Sequence, residues 1–181
     1  MKGETPMAKK ILIAYFSKAG QNFSQGKIVE LTVGNTKAAA EMMAEMTGGS
    51  LLEIRPVVPY PKDYRECGKQ AFQELRENAR PQLEGLPDSI GLYSDILLGY
   101  PNWCGTMPMA VWTFLEKYSF EGKRILPFCT HEGSGVSRSL SDLKKLCPGA
   151  RLLPALAIEG HKVGESEELI REHLKKAGFV S

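Results

Sequence analysis

The chain has 181 residues, of which 43% are hydrophobic and 24% are charged. These values suit one soluble globular domain with a sizeable core. A formal net charge of +2 gives no electrostatic reason to expect a nucleic-acid partner. The four cysteines form neither a CxxC motif nor a cluster with histidines, so neither a disulfide framework nor a zinc site is indicated.

The first ten residues, MKGETPMAKK, contain no apolar segment of the length found in signal peptides. No apolar run elsewhere approaches the roughly 20 residues that a membrane-spanning helix needs. We therefore expect a cytoplasmic protein with reduced thiols and no membrane partner. In this interpretation residues 1–8 form an N-terminal tail, and residues 9–181 form one domain.

Apolar, strand-like runs alternate with helical patterns along the rest of the chain. The predicted strands cover residues 10–16, 50–57, 95–100, 124–130 and 151–158. The predicted helices cover residues 36–46, 61–78, 109–117, 137–146 and 164–176. Strands that alternate with helices in this way predict a parallel, doubly wound α/β sheet. Pro127 and Pro154 fall inside predicted strands, so we expect a bulge or an unpaired position at each.

The connection between the first strand and the first helix is unusually long. It runs from Ser17 to Asn35, whereas such connections usually have about 2–6 residues. It ends in Gly34, Asn35 and Thr36, which would place free N–H groups and polar side chains at a helix N-terminus and suit a phosphate. A plain helix cap explains the same residues. No Walker motif follows that would indicate a nucleoside triphosphate.

Ligands of open parallel sheets bind beyond the carboxyl ends of the strands. Two further loops are therefore candidates, YPNWCGTMP at residues 100–108 and THEGSGVS at residues 130–137. Trp103 could stack on a flat ring or fold back onto the core. Cys104 is more often a small apolar residue than a nucleophile. His131 could be a general acid or a loop histidine bonded to the backbone, and the glycines beside it could bring N–H groups to a ring.

Two other classes of α/β protein are not supported. Receiver domains need acidic residues after the first strand and an aspartate at the end of the third, but AYFSKAG and LLGYPNW contain no acidic residue. Hydrolases with a nucleophile elbow need the pattern G-x-S-x-G, but Glu132 occupies the first glycine position around Ser134.

The three loops together resemble those of the flavodoxin family, and the resemblance covers residues 9–181. Flavodoxins carry a phosphate loop of the form S-x-T-G-N-T between the first strand and the first helix. Here Ser17 matches its start, the segment GNT at residues 34–36 matches its end, and Val33 replaces its threonine. The two later loops look like those that hold the flavin ring. The resemblance implies a flavodoxin-like three-layer sandwich, with a five-stranded parallel sheet of order 2-1-3-4-5 and FMN as cofactor.

The resemblance also implies which residues contact FMN. At the phosphate end these are Ser17, Lys18, Asn22, Gly34, Asn35 and Thr36. In the loop after the third strand they are Tyr100, Pro101, Asn102, Trp103, Cys104 and Gly105. In the loop after the fourth strand they are Thr130, His131, Gly133, Ser134 and Gly135. No catalytic or metal-ligating side chain is implied.

An insertion at residues 18–33 splits the phosphate loop. Its segment KIVEL could form a strand of a flap, and we expect a lid on the phosphate and ribityl end of FMN. A protruding loop that docks a partner is the alternative.

The resemblance favours an electron-transfer protein that serves a redox partner protein or a small-molecule acceptor. Electron-shuttle flavodoxins are strongly acidic, whereas this chain has a sequence pI near 8.3, so a net negative field cannot steer partners to it. The alternative is therefore an FMN-dependent NAD(P)H:quinone oxidoreductase.

Overall fold

The structure is a computed structural model and describes residues 10–181. The predicted tail, residues 1–8, lies outside the described residues. In chain order the strands are β1 (Lys10–Tyr15), β2 (Gly20–Ser24), β3 (Lys27–Leu31), β4 (Ser50–Glu53), β5 (Arg55–Pro56), β6 (Leu83–Glu84), β7 (Tyr93–Pro101), β8 (Arg124–His131), β9 (Arg151–Leu152) and β10 (Leu156–Glu159). The helices are α1 (Asn35–Thr47), α2 (Tyr64–Arg76), α3 (Met109–Lys117), α4 (Ser139–Leu146) and α5 (Glu167–Lys176), with a 3₁₀ helix at Gly160–Glu165.

The central sheet is parallel and has the order β4-β1-β7-β8-β10. Numbered by their order along the chain, the five strands β1, β4, β7, β8 and β10 are strands 1 to 5. The predicted order 2-1-3-4-5 is thereby confirmed. Strands β1, β7 and β8 are almost wholly apolar because helices cover both of their faces. Helices α1 and α5 pack on one face around Ile13 and Phe128, and helices α3 and α4 pack on the other around Leu98.

The fifth predicted strand is interrupted around Pro154, in the stretch that lies opposite Pro127 of β8. Strand β9 pairs with the start of β8 and β10 with its end. The Ile125 carbonyl accepts from the Leu153 N–H at 2.8 Å, and backbone groups of alternate strand residues point to the same side. Pro127 therefore faces the break at residues 153–155, which contains Pro154.

Other boundaries differ from the sequence prediction for local reasons. The predicted strand 50–57 leaves the central sheet after β4, because β5 pairs with β6 in a separate antiparallel ladder. Helix α2 begins only after Asp63, whose carboxylate caps it by accepting from the Glu66 N–H at 2.9 Å. The predicted helix 164–176 divides into the 3₁₀ helix and α5.

The insertion forms an antiparallel hairpin of β2 and β3. Its tip residues Gln25 and Gly26 have φ values of 49° and 84°, the positive pair expected of a type I′ hairpin turn. The predicted strand KIVEL is confirmed as β3. Its partner GQNFS was not predicted, since it is polar and begins with glycine.

No helix within residues 10–181 combines the length and apolarity that crossing a bilayer requires.

Three buried thiols should make the fold less stable in alkaline solution. Burial raises the pKa of Cys67 and Cys147 to about 11 and that of Cys129 to about 12. The unfolded chain releases these protons near the ordinary thiol pKa, whereas the folded chain keeps them. The stabilisation of the fold by these thiols is therefore complete below about pH 8.5 and is lost as pH rises towards 11–12. Over that range the free energy of unfolding falls by up to about 1.4 kcal/mol per pH unit for each thiol.

Urea unfolding at pH 8, 9 and 10 would measure this decline. The variant Cys147→Ala should lose stability less steeply with pH than the parent. An equally steep decline in both proteins would assign the effect to other groups.

Candidate functional site

A cavity of about 240 Å³ lies at the carboxyl ends of β1, β7, β8 and β10. We call it the inner cavity. The start of α1 closes one side, and the loops after β7 and β8 close the other. Its lining residues are Ser17, Lys18, Asn22, Phe23, Asn35, Thr36, Tyr64, Pro101, Asn102, Trp103, Thr130, His131, Glu132, Ser134 and Gly160. The position is the one where open parallel sheets bind ligands.

The N-terminus of α1 offers the inner cavity an anion site. Gly34 stands at the cap position and provides no side-chain hydrogen bond. The Lys37 N–H donates to Ser17 Oγ at 3.0 Å. The N–H groups of Asn35 and Thr36 have no carbonyl partner within the helix, as for every helix start. They and the helix dipole favour a negatively charged group.

Close contact with Ser17 explains why Gly34 has no side chain. A Cβ atom built on Gly34 would lie 2.2 Å from Ser17 Oγ and 2.7 Å from the Lys18 carbonyl oxygen. The Gly34 φ of −65° is available to any residue, so the restriction is steric. Next along the helix, the Thr36 hydroxyl lies 2.8 Å from that of Thr130. This buried contact joins the α1 end of the cavity to the loop after β8.

The loop after β7 folds into a tight turn. Cys104 and Gly105 have φ values of 54° and 82°, and Trp103 and Thr106 exchange backbone hydrogen bonds of 2.9 and 3.1 Å. Asn102 stabilises the turn, since its Oδ1 accepts from the Gly105 N–H at 3.1 Å. Its Nδ2 donates to the Gly135 carbonyl oxygen at 2.7 Å. Asn102 thereby fixes the two loops relative to each other.

Trp103 both packs on the core and faces the inner cavity. Its ring meets the edges of Phe16 and Tyr60, with centroid distances of 5.1 and 5.0 Å and interplanar angles of 80° and 89°. Because the indole is only half-buried, part of it remains available to the cavity. The interpretation that Trp103 packs on the core is therefore confirmed, and its stacking on a flat ring stays a prediction.

His131 is bonded to the backbone of its own loop. Its Nδ1 accepts from the Gly133 N–H at 2.9 Å, so the neutral ring carries its proton on Nε2. This is the second of the two interpretations that the sequence left open.

The structure brings most of the predicted residues to the inner cavity, but not all of them. Those that line it are Ser17, Lys18, Asn22, Asn35, Thr36, Pro101, Asn102, Trp103, Thr130, His131 and Ser134. Those that do not are Gly34, Tyr100, Cys104, Gly105, Gly133 and Gly135. The assignment of these residues as FMN contacts stays a prediction.

The placement of Tyr100 corrects the expectation for its side chain. The ring is fully buried, and the hydroxyl lies 2.9 Å from Ser139 Oγ in α4. Tyr100 shares its face of β7 with Ile96 and Leu98. Helices α3 and α4 cover that face, so the ring lies in the core. The Gly105 carbonyl oxygen accepts from the Arg138 N–H at 3.1 Å.

Four lining residues were absent from the predicted set, namely Phe23, Tyr64, Glu132 and Gly160. Gly160 directly follows β10, so the rule that ligands lie beyond strand ends could have identified it. Tyr64 begins α2, and only the tertiary fold brings it to the cavity.

The β2–β3 hairpin, which we call the strap, bridges the inner cavity. At one side Gln21 Oε1 accepts from the Tyr64 N–H at 3.0 Å, and the Phe23 and Tyr64 rings stack at 6.1 Å. At the other side the Gln25 N–H donates to Glu132 Oε2 at 3.3 Å. Glu132 Oε1 also accepts from the His161 N–H at 2.8 Å. The strap is thus held at both ends, as a lid over the cavity requires.

Comparisons with known proteins identify the family. A family model described as Flavodoxin matches residues 10–176. The chain belongs to the flavodoxin family. The resemblance drawn from the three loops is therefore confirmed, together with the flavodoxin-like fold. A comparison with curated proteins gave no match.

Several solved structures share this flavodoxin fold. A protein from Bacteroides uniformis assigned as a flavoprotein is 27% identical, with a TM-score of 0.73 over 92% of this chain and 98% of that one. One from Bacteroides eggerthii, assigned likewise, is 28% identical, with a TM-score of 0.69 over 91% and 99%. A flavoprotein from Lactobacillus acidophilus in complex with FMN is 22% identical, with a TM-score of 0.57 over 87% and 98%. At that identity the last likeness concerns the fold alone.

Proposed function

We propose that this flavodoxin-family protein binds FMN in the inner cavity and transfers electrons. The observation that carries the proposal is the start of α1. Asn35 and Thr36 line the cavity there together with Trp103, and their N–H groups have no carbonyl partner within the helix. Such a site suits a molecule with a phosphate at one end and a flat ring at the other. FMN bound there supplies the redox chemistry, while the chain binds it, orients it and shields it from water.

Replacing Thr36 with valine should weaken FMN binding about 10-fold or more, because a hydrogen bond to a charged group contributes roughly 1.5–3 kcal/mol. The change keeps the shape of the side chain and removes its hydroxyl. Riboflavin, which lacks the phosphate, is the control ligand and should lose much less affinity. Flavin titrations of both proteins, followed by fluorescence, would measure the two losses. Equal losses would place the Thr36 hydroxyl away from the phosphate.

We infer that the electrons pass between NAD(P)H and a small molecule, as in a quinone oxidoreductase. A second cavity, of about 500 Å³, supports this inference because Asn102, Trp103 and Tyr64 line it as well as the inner cavity. A small substrate could therefore lie beside the proposed flavin site. The slightly basic chain agrees with a small substrate better than with steering of a basic partner protein.

An electron carrier is the second candidate function, and membership of the flavodoxin family favours it. The two candidates differ in their kinetics. An oxidoreductase loaded with FMN should oxidise NAD(P)H rapidly once a quinone is added. A carrier should oxidise NAD(P)H slowly and should accumulate one-electron-reduced flavin during anaerobic titration with dithionite. Absorbance spectra of both experiments would decide between them. A protein that neither copurifies with FMN nor takes it up would contradict both.

A further inference from the structure

The second cavity, which we call the outer cavity, lies between the strap, α2 and the turn after β7. One face of α2 forms its floor, where Cys67 and Ala71 are buried and Gly68 adds no side chain. A Cβ atom on Gly68 would meet nothing within 4 Å, so the space above the helix is open. The volume of about 500 Å³ falls within the range of small-molecule sites.

Two aromatic side chains stand between the outer and inner cavities. Tyr64 and Trp103 line both, together with Lys18, Asn22 and Asn102. Trp103 is held by its edge contacts with Phe16 and Tyr60, which fixes the plane of the indole. A rigid aromatic wall favours a flat aromatic ligand over a flexible aliphatic one.

The charged side chains that line the outer cavity are all cationic. Its lining includes Lys18, Arg65 and Lys69, and no carboxylate among the residues that the structure describes. Lys69 forms an exposed ion pair with Glu66 at 2.8 Å. The Lys18 ammonium donates to the carbonyl oxygens of Gln21 and Lys62 at 3.0 and 3.3 Å, which carry no net charge. Within residues 10–181, Arg65 forms no ion pair.

We propose that the outer cavity binds a planar aromatic molecule that carries a negative charge. The molecule is the substrate of the oxidoreductase proposed above, and in that respect the inference rests on the proposed function. Apolar walls hold the ring, Trp103 and Tyr64 set its plane, and Arg65 selects the charge. Binding itself requires no electron transfer and can be measured separately.

The test uses two probes of the same shape that cannot be reduced by flavin. 2-Naphthalenesulfonate is anionic, and 2-naphthalenesulfonamide is its neutral analogue. Isothermal titration of the FMN-saturated protein should show at least about 10-fold tighter binding of the sulfonate, the effect of one hydrogen bond to a charged group. Equal affinities would overturn the assignment of charge.

Three variants locate the site. Arg65→Gln should weaken sulfonate binding about 10-fold and sulfonamide binding much less. Gly68→Leu fills the outer cavity and should abolish binding of both probes. Gln73→Leu adds the same side chain at an exposed position of α2 outside the cavity and is the matched control, with both affinities unchanged. Circular dichroism would establish whether Gly68→Leu is folded. If Gly68→Leu does not fold, Arg65→Gln still tests the proposal, because it changes an exposed side chain.

FMN titrations separate failure of this inference from failure of the proposed function. Gly68→Leu should bind FMN as the parent does. Sulfonate that binds only FMN-free protein would show that the outer cavity belongs to the cofactor site, and the inference would be wrong while the function stands. Protein that binds no FMN would contradict the proposed function, whatever the probes do.

Discussion

Replacing Gly34 with alanine should lower the affinity for FMN at least about 100-fold. The added Cβ would lie 2.2 Å from Ser17 Oγ, so the start of α1 or the residues before it must move. Such overpacking costs about 1–3 kcal/mol. The movement would also break the contact between Ser17 Oγ and the Lys37 N–H. It would displace the N–H groups of Asn35 and Thr36 from the phosphate, and each such hydrogen bond contributes roughly 1.5–3 kcal/mol.

The matched control for this substitution is Gly68→Ala. There the same added methyl group meets nothing within 4 Å, and FMN binding should stay unchanged. Equilibrium dialysis of FMN against parent and both variants would measure the effect. Parent-like FMN affinity in Gly34→Ala would place the phosphate away from the start of α1.

Replacing Arg124 with leucine should lower the free energy of unfolding by about 3–5 kcal/mol. Arg124 Nε lies 2.6 Å from Asp95 Oδ1, and the Asp95 side chain is only 2% exposed. Removing the guanidinium leaves a buried carboxylate without its partner, which costs more than the pair itself contributes. The variant also loses the contact of Arg124 with the Phe179 ring at 4.9 Å. Urea denaturation would measure the loss.

Two comparisons isolate the buried charge as the cause. Arg171→Leu breaks an exposed ion pair, in which the side chains of Arg171 and Glu167 are 47% and 68% exposed. This substitution should lower the free energy of unfolding by less than about 1 kcal/mol. The double variant Asp95→Leu/Arg124→Leu should be more stable than Arg124→Leu alone. A double variant as unstable as the single one would indicate that packing, and not the unpaired Asp95, accounts for the loss.

The sheet and most of the inner cavity could be predicted because their signals are local. Apolar runs defined β1, β7 and β8, and the segment at residues 34–36 identified the start of α1. The fifth strand was the hard case, since its pairing depends on two prolines 27 positions apart in the sequence, Pro127 and Pro154. Neither residue alone reveals that they meet across neighbouring strands.

The error in the prediction for Tyr100 and the failure to predict Tyr64 and Glu132 have different physical causes. Tyr100 lies next to site residues in sequence, but it is still part of β7, and helices cover both faces of that strand. That signal was present in the sequence. Tyr64 and the acceptor role of Glu132 depend on contacts with the strap. Such contacts join distant parts of the chain, and residue type and spacing do not specify them.

The interrupted fifth strand also bears on how copies of this protein meet one another. The last strand of an open sheet presents unpaired N–H and C=O groups that can recruit a strand from another molecule. Here β9 and β10 have two and four residues, and Pro154 between them has no N–H to offer. Its carbonyl oxygen lies 2.8 Å from His173 Nε2 in α5. An incoming strand would find only short, broken runs to pair with, so the interruption makes this edge of the sheet a poor template for edge-to-edge pairing.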